Sequence, residues 1–288
     1  MSELDSLYQI LPKLIPFECM QSGFMQRAFI GLLLLAPMAA VMGVHVINLR
    51  MAFFSDTIGH SAFAGIALGL LLSLDPHFST VLLGLAIGLA VVAVQRRSSL
   101  STDTVIGVFL SGVVAFGLAV VSRERSLARD LQRFLYGDIL TIGTGDILAL
   151  AGLFIVVTFF QFLAYNRMLF FAVNPLLARI HGVRVRTYQY LHAALLALVV
   201  VFSVWSVGVL LVTALMVVPA AAARNFARDA GSMFRWAFLI GLISAVSGLL
   251  ISAQDWARTA TGATVVLVAC AFFMLSLIFN GSRHRGNG

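Results

Sequence analysis

Apolar positions in this chain arrive in long unbroken runs instead of at the three-to-four-residue beat of a half-buried helix. Runs of about 20 residues, enough to cross a bilayer, alternate with short breaks that hold Arg, Asp, Gly and Pro. Reading runs against breaks predicts about nine spans, at 28–48, 53–73, 78–95, 103–122, 142–165, 190–206, 207–223, 236–253 and 262–280. The stretch "LHAALLALVVVFSVWSVGVLLVTALMVVPAAAA" has no charged break. It suits either one long tilted helix or two helices with a tight turn near Gly208, and the flanking basic loops favour two. Residues 1–27 hold "LYQILPKLIPF", too short to span and interrupted by Pro12 and Pro16, which predicts an interfacial segment. The expected organisation is therefore an N-terminal interfacial segment (1–27), a single transmembrane domain (28–281) and a C-terminal tail (282–288). The fold class is all-α, a polytopic transmembrane helical bundle. The ten-residue alternating segments of a membrane β-barrel are not seen in the sequence.

Composition supports this and narrows it. The 288 residues are 60% hydrophobic and 11% charged, against roughly 25% charged in soluble domains. The beginning, "MSELDSLYQI", is acidic and lacks the basic region of a cleavable signal peptide. A net charge of +7 would suggest nucleic acid in a soluble protein. Here the arginines occupy short loops, where they set topology, and no nucleic-acid partner is expected. With a cytoplasmic C-terminus, twelve of the 19 Lys and Arg residues fall inside and seven outside. The outer stretch "SRERSLARDLQRFLYGD", with Arg123, Arg125, Arg129 and Arg133, runs against that bias. A miscounted span would explain it, and so would a docking surface for an acidic partner. Cys19 and Cys270 lie far apart and outside any C-x-x-C pattern, which weakens disulfide and zinc-knuckle readings. The single lysine, Lys13, follows no glycine loop, so the chain cannot form a P-loop. Any ATP-driven step would need another polypeptide.

The second span, "FFSDTIGHSAFAGIALGLLL", carries Asp56 and His60 one helical turn apart on one face, with Ala64 and Ala67 continuing it. A carboxylate near a span centre costs about 2.5–3.5 kcal/mol on insertion scales, and such groups usually face a cavity. Imidazole with carboxylate is ligand chemistry for zinc, manganese or ferrous iron. Two ligands hold an ion weakly, as a conduit requires. The same spacing also serves a plain Asp56–His60 pair pinning the helix near the cytoplasmic boundary, and spacing alone does not separate the two. Asp103 in "LSTDTVIG" reads as a helix cap. His45 is a possible third ligand or a hydrogen-bonded core residue; His192 ranks lower, His77 reads as loop, and Asp255 as a solvated turn or an outer contact for the ion. Two basic stretches, 173–190 with Gly182 as helix stop and 217–236 with Pro219 as helix terminator, read as docking surface or as ordinary positive-inside loops.

With these residues in view, the chain resembles the membrane permease of ATP-binding-cassette importers for zinc, manganese or iron. The resemblance covers about residues 28 to 280, through "FFSDTIGHSAFAGIALG", "VGVLLVTALMVVPAAAARNFAR" and "TGATVVLVACAFFMLS". That family is similar in turn to the type II cobalamin and siderophore permeases. The resemblance implies a multi-pass protein of the inner (plasma) membrane, in contact with lipid, working as a homodimer around a central path. It implies two partners, a cytoplasmic ATP-binding subunit and an extracytoplasmic metal-binding protein, and no permanently bound cofactor, only a transported divalent metal (Zn, Mn or Fe). Asp56 and His60 would line the path, and Pro219, Arg224, Arg228 and Arg235 would contribute to ATPase coupling. The 173–183 stretch resembles a second family loop, and the outer arginines would dock the binding protein. Two departures stand out. "NPLLARIHGV" lacks an acidic residue before Leu-Ala, and "DWARTATG" lacks the proline of the usual outer turn.

Two other classes compete. An ion-gradient-driven secondary metal carrier would show internal repeats with paired broken helices, and no convincing self-similarity is visible. An intramembrane enzyme needs converging catalytic groups, whereas Glu3, Glu18 and Glu124 lie outside the spans and H-E-x-x-H is missing.

Overall fold

The computed structural model describes residues 18–122 and 139–285. Among them, ten α-helices follow one another: α1 (Gly23–Asn48), α2 (Phe54–Leu71), α3 (Pro76–Arg97), α4 (Thr102–Val121), α5 (Thr144–Val173), the short α6 (Pro175–Ile180), α7 (Val185–Val207), α8 (Val209–Phe226), α9 (Ala230–Ser252) and α10 (Thr261–Arg285). Short 3₁₀ turns at Glu18–Gln21 and Ile139–Thr141 precede α1 and α5. The nine long helices correspond one to one with the nine predicted spans. Eight of them are long and apolar enough to cross a membrane. The remaining one, α2, is 18 residues long and carries Ser55, Asp56, Thr57, His60 and Ser61 in its first two turns. The outer basic stretch with Arg123, Arg125, Arg129 and Arg133, and Lys13, lie outside the described residues.

Local chemistry sets the boundaries. Asp75 caps α3, accepting from the Phe78 amide at 3.0 Å, with Pro76 at the first helical position. His77 thus lies in a helix and not in a loop. At α4 the cap is Ser101, which accepts from Thr104 N, while Asp103 sits in the first turn where the helix dipole favours a carboxylate. Gly182, at φ +78°, follows α6 as expected of a helix stop. Gly208, at φ 85° and ψ 160°, separates α7 from α8 in a conformation closed to residues with a Cβ.

Three boundaries differ from the sequence reading. The first helix begins at Gly23, because nothing between Ser22 and residue 28 breaks it. α5 runs through "AYNR" to Val173, since polar residues alone do not end a helix and the real stop is Asn174-Pro175. Pro219 does not terminate α8; the helix continues to Phe226 and buries the proline.

Helix α1, 72% buried over its apolar window, and α7, 67% buried, form the centre of the bundle, whereas α10 is only 22% buried and turns most of its surface outward. Close contacts use small residues, as expected where lipid supplies no hydrophobic drive. A Cβ on Gly43 of α1 would collide with the Met216 carbonyl of α8, and one on Gly65 of α2 would lie 2.7 Å from Thr80 Cα of α3. Ser79 Oγ donates to the Gly65 carbonyl at 2.8 Å across that second contact.

The same contacts fix the level of α2. A Cβ on Gly88, near the middle of α3, would lie 3.3 Å from Phe54 Cζ and 3.3 Å from Ala197 Cβ, near the middle of α7. The first turn of α2 therefore sits halfway along two spanning helices. Arg50, in the turn between α1 and α2, has φ 55°.

Candidate functional site

The first two turns of α2 present two kinds of polar side chain. Ser55, Thr57 and Ser61 are fully buried, Thr57 donating to the Phe53 carbonyl just before the helix and Ser61 to the Ile58 carbonyl. Asp56 and His60 are half-buried on the side that the rest of the chain leaves open. Among the described residues no ion pair joins them. The opposite wall comes from α8. Thr213 lies beside the Asp56 carboxylate, and its hydroxyl donates to the Leu210 carbonyl at 3.3 Å. One turn away, Val209 packs against Gly59, where a Cβ would meet Cγ1 at 2.6 Å. The absence of a side chain at Gly59 lets α8 approach and brings Thr213 to Asp56. Sequence reading missed Thr213, whose only signal is its place one turn after the glycine break.

Beyond His60 the face closes. Ala64 and Ala67 are buried at 1% and 0% exposure, and α4 packs over them, a Cβ on Gly117 lying 3.1 Å from Phe63 Cδ1 and 4.0 Å from Ala64 Cβ. The two alanines thus serve helix packing within the protomer. The open polar surface is short and consists of Asp56, His60 and Thr213. Among the described residues no group of three or more His, Cys, Asp and Glu converges. Within one chain the strip holds one carboxylate, one imidazole and one hydroxyl.

The remaining singled-out residues fall elsewhere. His45 on α1 is buried and shares a 2.8 Å hydrogen bond with Gln161 of α5. Its ring meets His192 of α7 edge-on, with centroids 5.5 Å apart. These two histidines form a polar core pair away from α2. His77 stacks on Trp205, centroids 4.0 Å apart, and Asp255 pairs with Arg258 at 3.2 Å in an exposed turn.

At the end of the bundle rich in arginine, Arg224 and Arg228 are exposed, and Arg235 lies on α9, facing a groove toward α5. Helix α6 packs against α5 and α7, with Leu176 and Ile180 exposed at 66% and 71%. A cleft of about 540 Å³ adjoins it, lined by Arg167, Arg184, His181 and Tyr188 among others. Asn174 builds α6 by accepting from both Leu176 N and Leu177 N at 3.0 Å.

The family model described as "ABC 3 transport family" matches residues 21–280. The chain belongs to this family. Among the relatives of this chain is the high-affinity zinc uptake system membrane protein ZnuB of Haemophilus influenzae. That protein is 34% identical over 85% of this chain and 93% of the relative. The manganese import system permease protein ScaB of Streptococcus parasanguinis is 30% identical over 93% of this chain and 94% of its own length. Among solved structures, PsaBC from Streptococcus pneumoniae in complex with Fab superposes with a TM-score of 0.75 at 28% identity, covering 94% of this chain and 95% of that one. The ABC 3 chain is thus a multi-pass membrane permease, as the run pattern predicts, and lacks a nucleotide-binding loop of its own.

Proposed function

We propose that this permease carries a divalent transition-metal ion, zinc in preference to manganese or iron, along a path lined by Asp56 and His60. The observation that carries this reading is the half-open acid–imidazole pair on α2, midway along the bundle, unpaired with itself while its polar neighbours are buried. A carboxylate and an imidazole bind such ions, and an incomplete ligand set lets the ion leave. The open strip of Asp56, His60 and Thr213 is completed by a second copy of the chain, which doubles the ligands around a shared axis. Imidazole tilts the preference toward zinc, in line with the zinc uptake relative.

The energy comes from a separate ATP-binding subunit. Its dock is α6 with its exposed Leu176 and Ile180, the basic cleft beside it, and Arg224 and Arg228. An extracytoplasmic metal-binding protein delivers the ion on the other face. The test is uptake into vesicles holding the permease with or without the ATPase and binding protein, with zinc, manganese and iron in competition. Zinc uptake that needs all three components is expected. Uptake without the ATPase would indicate a gradient-driven carrier instead. Asp56→Asn and His60→Ala should abolish transport while membrane assembly persists. Normal transport by both variants would remove these residues from the path.

A further inference from the structure

A groove of about 830 Å³ runs along the outside of the bundle between α1, α5 and α9. Its walls are apolar over most of their length, with Pro37 and Met38 from α1, Phe154 and Val157 from α5, and Phe238 and Leu239 from α9. Leu239 and Phe238 are 44% and 39% exposed. Two polar wall residues near the middle are Thr158 and Gln161, and Gln161 is already bonded to His45. Polar groups gather at the other end, where Tyr165, Asn166 and Arg235 meet. Tyr165 is held there by Phe234, ring centroids 5.1 Å apart. Arg235 forms no hydrogen bond or ion pair with other described residues.

That polar end lies on the arginine-rich face, which the charge bias assigns to the cytoplasm. From Phe154 to Asn166 the groove follows α5 for about 18 Å, at 1.5 Å per residue. One leaflet of the hydrocarbon core is about 15 Å deep. The groove is therefore one leaflet long, greasy below and cationic at the headgroup level. We infer that it is a binding site for an anionic phospholipid of the cytoplasmic leaflet, with the acyl chain between α5 and α9 and the phosphate on Arg235, Asn166 and Tyr165. Basic pockets between transmembrane helices on this side bind anionic headgroups by the same chemistry. The site is separate from the Asp56–His60 surface and does not depend on the metal reading.

Native mass spectrometry of the full-length permease tests this, using phosphatidylglycerol and phosphatidylcholine with identical acyl chains as probes. The wild-type chain should retain phosphatidylglycerol about fivefold more strongly, the weight of one arginine near a lipid surface. Arg235→Gln should reduce that preference to none, and Leu239→Trp, which fills the groove, should lower retention of both lipids. Equal retention of the two lipids by the wild type would overturn the proposal. So would a preference surviving Arg235→Gln, or retention unchanged by Leu239→Trp.

Discussion

Asp56 was legible as an anomaly from sequence, because a carboxylate has no place in a lipid-facing run. The spacing to His60 gave the shared face, yet it could not say whether the pair was closed on itself. The structure separates the two side chains and brings in Thr213, from a helix more than 150 residues on, which no local pattern could reveal. Removing that hydroxyl tests the proposed strip: Thr213→Val takes away one of its three polar groups, at about the worth of one ordinary hydrogen bond, roughly 1 kcal/mol. We expect about fivefold weaker apparent affinity for metal in uptake assays, with assembly unaffected. His45 and His192 show the opposite case: both are buried, His45 bonds Gln161, and the two rings meet edge-on away from any open surface.

At the level of elements, the apolar runs predicted all nine long helices, and the glycine break at 208 was visible as well. What escaped was where helices stop when only polarity signals the end, as in α5, and where a proline is tolerated, as at Pro219. Depth escaped too, because the level of α2 depends on its neighbours. Gly208 offers a direct check. Its φ of 85° with ψ of 160° suits glycine alone, so Gly208→Ala should cost about 1–3 kcal/mol. The expected result is a lower thermal unfolding midpoint. Gly145→Ala, at a helical site with open space around the added methyl, should leave the midpoint as high or slightly higher.

Across the whole molecule, the proposed function gives two surfaces different work: the α2–α8 strip would meet a second copy, and the α6 end would meet an ATPase. They can be separated by mutation. Leu176→Glu with Ile180→Glu places charges on exposed apolar positions of α6, which should abolish co-purification of the ATPase and ATP-driven uptake. Dimer formation by size-exclusion chromatography should survive; loss of the dimer as well would place these residues in the fold instead. The halfway start of α2 has a consequence of an electrical kind. A doubly charged cargo resting at Asp56 would have crossed only about half of the membrane voltage. The remaining half is worth about 2.3 kcal/mol per 100 mV to such an ion, so an inside-negative cell would itself help draw the cargo from its resting place into the cytoplasm.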